Sequence, residues 1–128
     1  MKAQLNNLIN QNRQKLQDII PLTTPMCMHI DVCNICNFKC SFCSVQYSKE
    51  KLPFKNQIIS KELYEKIIDD CKKFDKKIKV LRLFMNGEPL IHSNFCELVK
   101  IAKESNCFEF IEITTNGSLL TPQKHQYC

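Results

Sequence analysis

The chain has 128 residues, enough for one domain of ordinary size and too few for several. Hydrophobic residues make up 44% and charged residues 24%, which supports a buried core and excludes a disordered or fibrous chain. The net charge of +5 comes from lysines interspersed with acidic residues; it reads as solvated helix faces and does not indicate nucleic acid.

The first twenty residues hold no apolar run longer than two, so neither a secretory signal nor a membrane span is expected, and the reading is cytoplasmic without a membrane partner. Leu5, Leu8, Ile9, Leu16, Ile19 and Ile20 recur at nearly helical spacing, predicting an amphipathic helix over 3–20 that Pro21 and Pro25 end. Residues 1–26 are thus an N-terminal helix and linker, and 27–128 the core. Cys27 to Val32 reads as a short strand running into a cysteine-rich loop. Residues 48–59, with Pro53, read as a polar surface connection. Ser60 is a good N-cap for a helix to about Asp75, with Leu63, Ile67, Ile68, Cys71 and Phe74 on one face. Ile78 to Met85 is a dense apolar run, as expected of a strand covered on both sides, and Asn86-Gly87-Glu88-Pro89 breaks it. Ser93 is placed to cap a second helix whose Phe95, Leu98, Val99 and Ala102 face inward. Phe108 to Thr114 is a third strand, and Asn116-Gly117 the turn after it.

Strands alternating with helices imply right-handed βαβ units and a parallel sheet. In such folds the chemistry gathers at the C-terminal ends of the strands. The cysteines, Asn-Gly-Glu-Pro and Thr-Thr-Asn-Gly each follow one of the three strands. All three unusual elements therefore fall on one rim.

Nine cysteines in a cytoplasmic chain are not a disulfide framework, and Cys33, Cys36, Cys40 and Cys43 lie within eleven positions. Soft thiolates at that density select an iron–sulfur cluster, zinc or copper(I). A cube of four irons held by Cys36, Cys40 and Cys43 leaves one iron open to a small molecule, where electron-transfer ferredoxins use a fourth cysteine. Cys33-x-x-Cys36 with Cys40-x-x-Cys43 also reads as two zinc knuckles. Zinc ribbons, however, separate their pairs by about 15–20 residues. Cys33 is instead read as a strand-end or pocket residue. Cys27 belongs to the first strand and Cys107 precedes the third, while Cys71 and Cys96 are expected to be buried thiols on helices.

The spacing Cys36-x3-Cys40-x2-Cys43, with Phe42 before the last cysteine, resembles the signature loop of the radical S-adenosylmethionine (radical SAM) enzymes. Asn86-Gly87-Glu88-Pro89 resembles that family's Gly-Gly-Glu-Pro segment, and Thr114-Thr115-Asn116-Gly117 its Thr-Asn-Gly turn. The resemblance implies an α/β fold, the first half of a partial (β/α)6 TIM-like barrel with parallel strands, preceded here by the N-terminal helix. It implies a 4Fe–4S cluster on Cys36, Cys40 and Cys43 and S-adenosyl-L-methionine on the open iron. Phe42 would lie near the adenine. Gly87, Glu88 and Pro89 would edge the methionine amino group, and Thr115 and Asn116 would touch cofactor or substrate or shape the turn. Asn86 departs from the family's glycine; if positive φ is needed there, Asn is the best-suited substitute.

The chemistry implied is reductive cleavage of S-adenosylmethionine to a 5′-deoxyadenosyl radical that abstracts hydrogen from a substrate. A reductant such as flavodoxin or ferredoxin would be a partner. The resemblance covers about residues 27–120, and a full eight-unit barrel takes about 250 residues. The chain therefore reads as truncated after its third strand, or as a short form whose barrel a partner completes. The alternatives carried forward are a cluster-binding fragment without catalysis and a zinc-binding module.

Overall fold

The computed structural model describes residues 15–43 and 55–122. Most of the predicted helix over 3–20 lies outside them, as does 48–54 of the polar connection; within them, Leu16–Asp18 forms a single 3-10 turn. Three apolar runs become strands β1 (Cys27–His29), β2 (Ile78–Arg82) and β3 (Phe108–Glu112). They form one parallel sheet in the order β1-β2-β3. Helices α1 (Lys61–Cys71) and α2 (Phe95–Glu104) join them as two successive β-α-β units.

Side chains alternate across a strand, and the register turns that alternation into two faces. Met28, Leu81 and Ile111 align across the sheet and pack into the core beneath the helices. Tyr64, Ile68 and Cys71 from α1, with Phe95, Leu98, Val99 and Ala102 from α2, close that core. The opposite face carries Cys27, Val80 and Phe110 in one row and His29, Arg82 and Glu112 in the next. β2 is buried on both sides, as its apolar run requires, whereas Phe110 of edge strand β3 is 43% exposed.

Several boundaries depart from the sequence pattern. Leu63, expected in the core, is 51% exposed, and Tyr64 takes the inward position instead. An aromatic ring with a polar tip hid this in a pattern read from wholly apolar residues. α1 stops at Cys71 rather than near Asp75, because Lys72, Lys73 and Phe74 donate to carbonyls three residues back and tighten the last turn. Each strand is shorter than its apolar run, and Met85 is exposed. Ser60 does cap α1, accepting from the Leu63 N–H at 3.2 Å. Ser93 does not cap α2. Asn94 stands at that position without a side-chain cap, and its N–H is taken by Nδ1 of buried His92 at 3.1 Å. His92 Nε2 lies 3.1 Å from the Ile59 carbonyl, so the ring carries its proton on Nε2 and ties the α2 approach to the chain before α1.

Tyr64 is fully buried, yet its hydroxyl has no hydrogen-bond partner among the described residues. Burial pushes its ionisation well above the ordinary phenol range. An unpaired buried hydroxyl costs about 1–3 kcal/mol. Tyr64→Phe is therefore expected to leave the denaturant midpoint unchanged or raise it, whereas Phe95→Ala, at an equally buried position, should cost about 3–5 kcal/mol. Chemical unfolding followed by circular dichroism would check both.

Candidate functional site

Each strand ends on the same rim, and each is followed by one of the three motifs. The segments are 30–43 after β1, 83–91 after β2 and 113–120 after β3. They are fastened to one another through Glu88, whose side chain is charged but whose residue is only 2% exposed. A buried carboxylate is tolerated when donors surround it. Oε1 accepts from the Leu90 N–H at 3.0 Å and from the Thr115 hydroxyl, and Oε2 accepts from the Asn116 N–H at 2.7 Å. The Glu88 main chain reaches the other way. Its N–H donates to the Ile35 carbonyl at 2.8 Å, and its carbonyl accepts from the Cys33 thiol at 3.2 Å.

Gly87 is what lets those two loops meet. A methyl group there would stand 2.5 Å from the Cys33 carbonyl oxygen and 2.6 Å from that of Ile35. Its requirement is space, not backbone conformation. Asn86 is likewise not at positive φ, since Asn106 holds that distinction among the described non-glycine residues. Asn86 instead gives its N–H (3.1 Å) and its side-chain amide to the two oxygens of Asp31, a second clasp between the first two loops. Pro89 and Leu90 are buried in the 3-10 turn Pro89–Ile91. Gly117 does need its freedom, with φ +75 in the turn after β3.

Cys36, Cys40 and Cys43 are free thiols of intermediate exposure. The Cys43 N–H donates to the Cys40 carbonyl at 3.1 Å, which folds the end of the loop into a turn, and Phe42 projects from that turn at 90% exposure. The donors suit a soft metal centre and lie on one loop. Among the described residues no three His, Cys, Asp or Glu side chains are yet gathered closely enough to hold an ion. Cys33 is different. It is buried at an isolated bridge to Ile58, and burial pushes its thiol pKa up. Cys71 and Cys107 are buried free thiols, whereas Cys96 is half-buried and disulfide-bonded, contrary to the expectation of a buried thiol.

Four contributors carried no sequence signal. Asp31, Asn37 and Ser118 act through partners 55, 79 or 81 positions away. Asn37 accepts from the Asn116 side-chain amide at 3.0 Å and donates to the Ser118 hydroxyl at 2.8 Å. The fourth is the row His29, Arg82 and Glu112, the last residues of their strands on the face away from the helices. Arg82 Nε donates to Glu112 Oε2 at 2.7 Å, and Arg82 Nη1 stands 3.5 Å from His29 Nε2.

The model of the radical SAM superfamily matches residues 30–127, so the chain belongs to that family. The family implies a 4Fe–4S cluster and S-adenosylmethionine as cofactors; its members carry out S-adenosylmethionine-dependent radical chemistry and generally need a reductant and a substrate. Among curated relatives, the GTP 3′,8-cyclase of Chlorobaculum tepidum is 34% identical over 96 residues, 75% of this chain and 27% of that protein. The 7,8-dihydro-6-hydroxymethylpterin dimethyltransferase of Methanocaldococcus jannaschii is 29% identical over 101 residues, 74% of this chain and 18% of that protein. The chain thus spans about a quarter or less of these relatives. A solved structure of BtrN in complex with AdoMet and 2-DOIA has the same fold, with a TM-score of 0.67 at 22% identity over 80% of this chain and 40% of that one. No helix among the described residues is long and apolar enough to cross a membrane.

Two substitutions test the fastening. Glu88→Gln turns one acceptor oxygen into a donor facing a donor, and should cost about 2–3 kcal/mol of unfolding free energy. Gly87→Ala pushes against two backbone carbonyls and should cost about 1–3 kcal/mol. A thermal melt of the metal-free chain reads both. A further expectation concerns Cys33: because burial favours its protonated form, its thiolate fraction at a given pH is low. Mass-spectrometric alkylation at mildly alkaline pH should modify Cys36, Cys40 and Cys43 before Cys33.

Proposed function

We propose that Cys36, Cys40 and Cys43 ligate three irons of a 4Fe–4S cluster, and that the strand-end segments beside them receive S-adenosylmethionine at the fourth. When bound, these cofactors supply reductive cleavage to a 5′-deoxyadenosyl radical that takes hydrogen from a substrate. The observation that carries this reading is the fastening of all three strand-end motifs to one another by Glu88. It brings the thiol loop, Asn86–Pro89 and Thr115–Asn116 to one place on the rim.

The roles divide as follows. The cysteine loop would close around the metal, since its three thiols lie on one short segment and are free of disulfides. Phe42, exposed on the turn before Cys43, offers an aromatic face for the adenine. Asn86 and Gly87 offer an edge of main chain toward the methionine ammonium, a group best met by carbonyl acceptors. The Glu88 carboxylate is already engaged with three donors, so its part is to hold that edge in place. Pro89 stiffens the same edge. Thr115 and Asn116 likewise act through their bonds to Glu88, shaping the wall of the pocket.

The zinc reading needs a fourth thiolate, and the nearest candidate is Cys33. Its thiol is directed at the carbonyls of Glu88 and Ile35, and burial favours its protonated form. Three thiols and an open iron fit this arrangement better. The test is metal and sulfide analysis after anaerobic reconstitution of the full chain. Iron and sulfide in equal amounts are expected, lost in each of Cys36→Ala, Cys40→Ala and Cys43→Ala and retained in Cys33→Ser. Zinc without sulfide, with Cys33→Ser as damaging as the other three, would overturn the proposal.

A further inference from the structure

Asn37 directly follows the first of the three thiols and precedes the other two. Its side chain belongs to a closed circuit of hydrogen bonds with the turn after β3. Asn37 Nδ2 donates to the Ser118 hydroxyl (2.8 Å), and that hydroxyl donates to Asn116 Oδ1 (2.7 Å). Asn116 Nδ2 completes the circuit by donating to Asn37 Oδ1 at 3.0 Å. The Ser118 N–H adds a further bond to Asn116 Oδ1 at 2.9 Å. Donors and acceptors all run in one sense around the circuit, an arrangement in which each bond polarises the next. Asn116 is in turn held from below by Glu88 through its main-chain N–H.

The consequence is mechanical. The start of the cysteine segment is pinned by Glu88, through Cys33 and Ile35. Beyond that point, two side-chain bonds join Asn37 to the β3 turn. A second point of attachment restricts the orientation in which the loop presents its thiols. We propose that Asn37 is the positioning residue that docks the thiol loop onto the β3 turn. It fixes the orientation in which Cys36, Cys40 and Cys43 hold their metal, a role that rests on the cluster reading above. No metal contact is assigned to it.

The test compares wild type with Asn37→Ala, Asn37→Asp and Ser118→Ala, each anaerobically reconstituted as the full chain. Asn37 is exposed, so these changes leave the core intact. All four proteins should take up the same iron, because the three cysteines remain. Iron loss to a ferrous chelator should then be about tenfold faster in Asn37→Ala, the factor expected when an ordinary side-chain hydrogen bond no longer opposes local opening. Asn37→Asp keeps the acceptor for Asn116 and loses the donor to Ser118, so it should fall between. The double variant Asn37→Ala/Ser118→Ala should be no faster than Asn37→Ala, because both break one circuit. The reduced-cluster paramagnetic resonance signal should broaden in Asn37→Ala, a signature that a general loss of stability does not produce.

Iron loss within twofold of wild type in Asn37→Ala, or additive effects in the double variant, would overturn the role. If wild type takes up no cluster, the cluster proposal fails instead. Asn37 is then judged on the metal-free chain by the alkylation rate of Cys36. Faster labelling in Asn37→Ala supports docking of the loop, and an unchanged rate refutes it.

Discussion

The Glu88 carboxylate is the constraint on which the site depends. A parallel sheet brings three strand ends to one rim but does not by itself join the loops that follow them. Here one buried side chain collects donors from its own turn and from the β3 turn, while its main chain bonds the β1 loop. The negative charge is tolerated in a nearly water-free position because those donors replace its hydration. Gly87 permits the contact by leaving room for two carbonyls where a methyl group would collide. Glycine and glutamate thus work as a pair: the first allows the approach and the second exploits it.

Such prearrangement has a functional logic. Ordering loops at the moment of binding subtracts from affinity, so loops already joined lose less when a ligand arrives. Within the stretch from Cys36 to Cys43, Asn37 is bonded to the β3 turn, while the thiols are not gathered closely enough to hold an ion. That division suits a metal centre, since ligands on a short segment can close around the ion while the surrounding frame stays still. Beside this rim, on the face away from the helices, stands the polar row His29, Arg82 and Glu112. A half-barrel of this kind therefore presents charge just below its loops and apolar residues, Val80 and Phe110, one row deeper.

What the sequence made legible was everything carried by local chemistry. Apolar runs located the three strands and a 3.6-residue period both described helices, Ser60 announced its cap, and Asn116-Gly117 its turn. The cysteine spacing and the Asn-Gly-Glu-Pro segment led to the radical SAM family, which the family comparison shows. What stayed hidden depends on register. That Glu88 would spend its carboxylate on Thr115 and Asn116 rather than on a ligand cannot be read until strands β2 and β3 are aligned. Asn37 and Ser118 are ordinary loop residues until the fold sets them side by side. Gly87 is one of only two glycines in the chain, but the reason for it is the proximity of Cys33 and Ile35, some fifty positions earlier. Tyr64 and His92 were missed because polar tips mask residues that the core holds inside.

The account turns on an iron left open beside a prearranged rim, and paramagnetic resonance addresses that most directly. The full chain, anaerobically reconstituted and reduced, would be measured with and without S-adenosylmethionine. The account predicts a reduced 4Fe–4S signal whose g-values shift when S-adenosylmethionine is added, because the cofactor ligates the cluster. A cluster signal identical in its presence and absence would contradict it.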